Sequence, residues 1–298
     1  MSKSDFKSNL KNFAPMTLTE LNARASYLKR IDTKFLLTKE EFIEMLHFLE
    51  KDFQVLEIAG NRVFSYDNIY MDTPDYFFYN QHQDKQISRT KIRTRLYEDA
   101  KLAFFEYKQK DNGITRKFRY QFPTDEHGKM TKGKVRFFEW VWQSVYEGKK
   151  IPEISPSINT KYKRITLVSK TWEERLTIDF DIQTNNLRDK KSAPVNLKNL
   201  VIIESKTLSK NCKSLRLMKR HGHKQAKACS KYSLWVVYAG LTSKFDTFKE
   251  TMAKIKEIRL ETLKHRFRKT DLKSAGGTNA AIFKKESIKE VIKKEINK

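Results

Sequence analysis

Residues 88–110 place a cation at nearly every second position: Arg89, Lys91, Arg93 and Arg95, then Lys108 and Lys110 after a short turn, with Glu106 in the same series. In an extended chain successive side chains point to opposite faces, so these residues share one face and leave Thr90, Ile92, Thr94 and Leu96 for the other. A surface strand lying on an apolar core shows the reverse arrangement. Arginine offers paired planar donors to phosphate oxygens and lysine a compact point charge, so a mixed face of this kind suits a ligand carrying several negative charges.

The alternation recurs elsewhere. Arg30, Asp32 and Lys34 share a face, as do Lys117 and Arg119, Tyr162 and Arg164, Arg175, Thr177 and Asp179, and Glu204 and Lys206. Desolvating each such charge without a partner costs several kcal/mol, so a space lined by these faces stays wet or holds a polyanion. Carboxylates facing phosphate repel it unless a divalent cation lies between them, and hard oxygen ligands favour magnesium or manganese. Glu204 is the leading metal-ligand candidate because its strand, residues 199–207, is otherwise largely apolar, and Glu106 is the second.

Positioning these residues takes many strands and few crossovers. Thr17 and Glu20 have capping-box spacing, and Thr38 precedes a helical stripe of Phe42, Met45, Leu46 and Leu49. Strands are expected over residues 62–71, 88–96, 102–110, 114–122, 159–169, 172–182 and 199–207, with Asp111-Asn112-Gly113 as a hairpin turn. Residues 135–146 read as an outer helix, and the pattern becomes helical again after Leu208. Without regular strand–helix alternation, the fold class expected is α+β: an antiparallel β-barrel with helices packed outside. Residues 1–16 read as a loose segment, 17–241 as the barrel domain and 242–298 as a basic helical tail.

Lys and Arg outnumber Asp and Glu by 61 to 36 in 298 residues, a net charge of +25. That favours a polyanionic partner, whether nucleic acid, an acidic membrane or a phosphate-rich small molecule, and charge alone does not choose. Two cysteines, no apolar leader and no bilayer-spanning run point to a reducing, cytoplasmic setting. In the tail, Phe248, Met252, Ile255, Ile288, Val291 and Ile292 form apolar stripes under a basic face, suited to an anionic membrane's inner surface, to a membrane-protein partner, to the product or to the barrel itself, with a solvated basic helix as the plain alternative. Aromatics alternate mostly away from the cations, which speaks against sequence-tolerant nucleic-acid stacking and against a specific nucleic-acid partner.

The ordered motifs R-I-D-T-K-F, I-Y-M-D-T-P-D, K-I-R-T-R-L-Y, F-F-E-Y-K-Q-K, K-R-I-T with E-R-L-T-I-D-F, V-I-I-E-S-K-T and S-K-Y-S-L resemble the VTC domain. This is the catalytic domain of polyphosphate polymerases, within the triphosphate tunnel metalloenzyme superfamily, and the resemblance runs over roughly residues 17–241. It implies a tunnel barrel that binds ATP and polyphosphate with Mn2+ or Mg2+, and transfer of the γ-phosphoryl group of ATP onto a growing polyphosphate chain with release of ADP. Carried over motif by motif, it implies phosphate-gripping roles for Lys34, Arg93, Arg95, Lys108, Lys117, Arg164 and Arg175, a phosphate contact at Tyr162, a lysine of the last motif at Lys231 and the metal at Glu204. Arg30, Arg119 and Lys206 join the substrate-binding set through alternation alone.

Three departures qualify the resemblance. Eukaryotic members carry a second lysine where this chain has Ala228; tunnel triphosphatases open with Glu-x-Glu-x-Lys, where this chain has Arg30-x-Asp32-x-Lys34; and the eukaryotic regulatory and transmembrane segments are missing, the pattern of a stand-alone prokaryotic form. The alternatives that stay open are a metal-dependent tri- or polyphosphate hydrolase and a non-catalytic polyanion-binding module. Two further patterns read as decoys: a P-loop-like run from Gly128 to Lys134 followed by Val135 instead of Ser or Thr, and His221 and His223 near Cys212 and Cys229 at no standard zinc spacing.

Overall fold

The structure, a computed structural model, describes residues 6–24 and 31–273. Arg30 therefore lies outside the described residues, as do Ile288, Val291 and Ile292 of the tail. The described strands are β1 (Ala14–Met16), β2 (Ile31–Thr38), β3 (Phe53–Leu56), β4 (Phe64–Asp72), β5 (Arg89–Tyr97), β6 (Leu102–Asp111), β7 (Ile114–Phe122), β8 (Ser155–Ser169), β9 (Glu174–Asn186), β10 (Val195–Leu197) and β11 (Leu200–Thr207). The helices are α1 (Phe6–Leu10), α2 (Leu18–Arg24), α3 (Lys39–Leu49), α4 (Phe77–Gln83), α5 (Lys132–Val145), α6 (Lys213–Arg220), α7 (Lys231–Tyr238) and α8 (Lys249–Lys273).

One sheet runs in the order β2-β11-β9-β8-β4-β5-β6-β7, antiparallel at every step, with β3 and β10 as branches and β1 parallel to β3. The path has two ends, and no pairing joins β2 to β7 among the described residues, so the closed barrel expected from alternation is an open sheet. It nevertheless curls strongly. Strands β2 and β6 are six steps apart, about 29 Å in a flat sheet, yet Lys34 and Asp32 of β2 act electrostatically on Lys108 of β6. The exposed edge of β2 is met by the segment before α7, where the Ala226 N–H donates to the Lys34 carbonyl at 2.8 Å.

Local chemistry explains the elements. At α3 the Glu41 N–H donates to Thr38 Oγ1 at 3.1 Å and the Thr38 N–H donates to Glu41 Oε2 at 2.7 Å, a complete capping box. Thr17 and Glu20 make the same exchange at α2. The β6–β7 turn places Asn112 and Gly113 at φ 45° and 82°, the left-handed pair that a two-residue hairpin requires. No described helix is long and apolar enough to cross a membrane.

Apolar side chains fill the convex side in two patches. Phe35, Leu37, Ile165, Leu176, Ile178 and Val201 pack under α1, α3 and α6, while Met71, Ile92, Phe105, Tyr107 and Phe122 pack under α4 and α5. Helix α7 departs from the expectation of helices outside: Trp235 and its neighbours join Leu36, Ile158, Tyr162 and Ile202, whose strand parity places them on the concave face. That helix therefore stops one end of the concave space. Residues 6–16, expected to be loose, bury Phe6, Leu10, Phe13 and Met16; spacings of four, three and three form an apolar stripe inside a polar composition. Likewise the tail begins as core, with Phe248, Met252, Ile255 and Ile258 buried beside α7.

Candidate functional site

Strand register carries the basic residues onto one surface. Arg93 faces Tyr70 on β4 and Glu106 on β6, and Glu106 faces Arg119 on β7. Arg164 faces Asp179, Thr177 faces Glu204, and Glu204 faces Lys34. Opposite residues share a face, so Lys34, Arg93, Arg95, Lys108, Lys117, Arg119, Tyr162, Arg164, Arg175, Lys206, Glu106 and Glu204 all lie on the concave side.

Three carboxylates organise most of these cations. Glu106 is 2 % exposed; its Oε2 meets Arg93 Nη2 at 2.6 Å, and its Oε1 meets Lys117 Nζ at 2.6 Å and Arg119 Nη2 at 2.9 Å. Burial works to raise the Glu106 carboxyl, but Arg93, Arg95 and Lys117 outweigh it and hold the group far below the usual carboxylate range. Asp179 receives two parallel bonds from Arg164, at 2.5 and 2.8 Å, and a third from Lys231 at the start of α7. Burial is again outweighed, by Arg164 and Lys231, and Asp179 stays ionised. Glu204 Oε1 takes Lys34 Nζ at 2.6 Å and Oε2 takes Lys206 Nζ at 3.4 Å. Burial opposes ionisation there too, and Lys34, Lys206 and Arg164 reverse it.

Tyrosines tie the Glu106 and Asp179 centres together. Tyr66 and Tyr162 stack at 5.3 Å with 6° between their planes, and the guanidinium groups of Arg95 and Arg164 lie 5.3 and 5.1 Å from the Tyr66 ring. Arg95 is fixed further by Asn68 Oδ1 at 2.8 Å and the Tyr162 hydroxyl at 3.2 Å. Asn68, Tyr66 and Tyr70 were not among the expected site residues, although β4 alternates at period two like its neighbours. The concave space is set partly by a bulge: Tyr162 stands opposite both Asp181, at φ 50°, and Ile182, so the parity of β9 shifts there.

As a cation site, Glu204 offers an ionised, largely buried carboxylate, with Asp32 one register step away opposite Lys206. Among the described residues no group of three His, Cys, Asp or Glu is gathered for a metal. Magnesium-type ions are commonly held by one or two carboxylates with substrate phosphates completing the shell, and the donor set here fits that mode. It fits a metal arriving with its anion.

The two decoy motifs have structural roles. Lys134 is fully buried, reaches Glu126 Oε2 at 2.9 Å and lies 3.7 Å from the Phe122 ring centre. Gly128, at φ 80°, has Ile69 Cδ1 only 2.6 Å from where a Cβ would stand. His221 rests against the Phe48 ring at 5.0 Å.

Among solved structures, the chain is similar to a Hippeastrum protein described as a "putative adenylyl cyclase" with a dominant triphosphatase activity, at TM-score 0.45 and 14% identity over 71% of this chain and 96% of that one. A Pyrococcus horikoshii protein gives TM-score 0.39 and 13% identity over 70% and 99%. Likenesses this distant decide nothing about activity. No curated protein matches the chain. The VTC domain, by contrast, is matched continuously over residues 29–238. That span contains every described strand of the concave face, and the chain belongs to the VTC domain family, with a metal-dependent activity on triphosphate or polyphosphate.

Proposed function

We propose that the protein is a metal-dependent polyphosphate polymerase that transfers the γ-phosphoryl group of ATP to the end of a polyphosphate chain and releases ADP. The observation that carries this reading is the state of the buried carboxylates. Both oxygens of each are engaged, Glu106 by Arg93, Lys117 and Arg119, Asp179 by Arg164 and Lys231, and Glu204 by Lys34 and Lys206, and against burial these cations hold each carboxyl below its ordinary range. A general base for water works best with a pKa near the working pH, and these three are far from it. A terminal phosphate oxygen is already ionised and needs no base, so transfer between phosphates suits this surface better than hydrolysis does.

In this reading Arg93, Arg95, Arg164 and Lys34 hold the nucleotide phosphates, with Lys108, Lys117, Arg119, Arg175, Lys206, Tyr162 and Lys231 lining the path. Glu106 and Asp179 orient the guanidinium groups rather than bind metal, since both oxygens of each are held closely by cations, whereas Glu204 Oε2 meets Lys206 only at 3.4 Å and has Asp32 beside it. Glu204, with Asp32, would hold the divalent ion, which when bound neutralises charge on the phosphate oxygens. Phosphoryl transfer needs positioning and charge neutralisation above all, and that is what this surface supplies.

Purified protein incubated with ATP and manganese should yield ADP and acid-labile phosphate chains. ADP with free phosphate only supports the hydrolase. Polyphosphate binding without any nucleotide turnover supports a binding module.

A further inference from the structure

On β5 to β7 the charge pattern changes abruptly below Arg93. Arg89 stands opposite Lys110, Lys91 opposite Lys108, and Lys108 opposite Lys117. Like charges directly opposite on neighbouring strands destabilise a sheet, and here three such pairs follow one another. Elsewhere on the concave face most cations have an acid: Arg93 and Arg119 have Glu106, Arg164 has Asp179, Lys34 has Glu204, and Lys206, although it faces Arg175 on β9, stands opposite Asp32 on β2.

No acid among the described residues pairs directly with the patch, and only Glu204 and Asp32 act on it, through Lys108, from across the concave space. Among the described residues Arg89, Lys91, Lys108 and Lys110 form no ion pair. Lys117 turns its ammonium to Glu106 at 2.6 Å. Arg89 Nε is buried without a hydrogen-bond partner, as is Nε2 of His82 behind the patch. His82 stays neutral: burial first, then Lys91 and Arg89, push it down to about 2. Lys91 is held well below the usual lysine range by burial and by Lys108, Lys34, Arg93 and Arg89. Lys108 is also lowered by burial, in spite of Glu204 and Asp32. Lys108 and Lys110 are exposed residues on the concave face of β6.

We propose that Arg89, Lys91, Lys108 and Lys110 form a second polyanion subsite, distinct from the acid-compensated centres, which takes the acceptor phosphate chain. The role as acceptor site rests on the polymerase reading above; the subsite itself does not. In the transfer, a terminal oxygen of the acceptor forms the new bond to the γ-phosphorus. The bond from that phosphorus to the bridging oxygen of ADP breaks, its electron pair leaves with ADP, and the acceptor grows by one phosphate. Two anionic chains must lie end to end for this step, and a surface with two separately organised cation groups can hold both.

The test is calorimetric titration of the full chain with tripolyphosphate, with manganese and a non-hydrolysable ATP analogue kept saturating so that only the second subsite is read. Lys91→Met and Arg89→Gln should each weaken tripolyphosphate by about tenfold, the loss of one charge-assisted contact, while the affinity for the analogue stays within about twofold. Lys91→Arg should retain binding. Because Lys91→Met removes an uncompensated charge, its unliganded melting temperature should rise, which separates lost binding from lost folding. Unchanged tripolyphosphate affinity in both variants overturns the subsite, and so does equal loss for tripolyphosphate and the analogue, which would mean one continuous site. If tripolyphosphate behaves as expected but turnover gives only free phosphate, the subsite stands and the polymerase reading falls.

Discussion

Arg93 and Glu106 stand opposite each other on β5 and β6, and the guanidinium grips a single carboxylate oxygen, Oε2, from Nε at 2.8 Å and Nη2 at 2.6 Å. The other oxygen is left to Lys117 and Arg119. Glu106 is therefore the shared anion of a cation cluster, and its removal should disorder the cluster without weakening its charge. Glu106→Gln should lower turnover by about two orders of magnitude, the scale of one misplaced electrostatic group. Tripolyphosphate binding should not weaken, since net positive charge grows. The manganese concentration for half-maximal rate should not move, and a tenfold increase would return Glu106 to the metal.

Glu204 makes the opposite prediction. Its carboxylate has Asp32 a register step away on β2 and Asp179 a register step away on β9. Glu204→Gln should raise the manganese requirement by more than about tenfold, seen both in turnover and in direct titration of manganese with ATP present. If rate falls with no change in manganese affinity, Glu204 serves only to pair Lys34 and Lys206.

Asp179 tests how much the buried ion cluster matters to the fold. It is 1 % exposed and carries both Arg164 and Lys231. Removing the acid leaves two buried cations facing each other, at about 3–5 kcal/mol for a broken buried pair. Asp179→Asn should lower the denaturant midpoint accordingly, and adding Lys231→Met should restore part of the loss. Strict additivity of the two changes would mean the groups do not interact.

The concave face was legible because period-two alternation needs no knowledge of partners: Arg89 to Arg95 declare a shared face by spacing alone, and Glu204 stands out against an apolar strand. What joins the strands was not legible. Which cation receives which acid depends on register between segments far apart in sequence, such as Arg164 with Asp179 or Lys34 with Glu204. The bulge at Asp181 resets parity, so Ile182 reaches the concave side where simple alternation would put Asp181. Closure was over-read, since a two-sided pattern is the same in a closed barrel and in an open sheet whose end is stopped by α7. The N-terminal segment was under-read because Phe6, Leu10, Phe13 and Met16 are few among polar neighbours, and only burial shows that they form a stripe.

The pH dependence follows from the imbalance of cations. Burial, only partly offset by Glu106, pulls Lys117 down to about 8 from 10.5. Between those values the folded state binds fewer protons than the unfolded chain, so the contribution of Lys117 to stability rises with pH from about 8 to 10.5. Lys91 and Lys108, also lowered, act in the same direction. Lys34 and Lys231 are raised, so their contribution is fully present below 10.5 and is lost only above it. On the acid side Glu106, Asp179 and Glu204 are lowered; their contribution is full above the ordinary carboxylate values of 3.8 to 4.5 and fades as pH falls below them. The unliganded protein should therefore be destabilised by acid, yet gain stability between pH 8 and 10, where tripolyphosphate affinity should fall because the ligand needs Lys117 charged. Denaturant midpoints and binding constants at pH 7, 8.5 and 10 measure both trends. Lys117→Met should flatten each of them, and a stability that declines steadily from pH 8 upward would mean that the lysines of this face are not crowded as the structure places them.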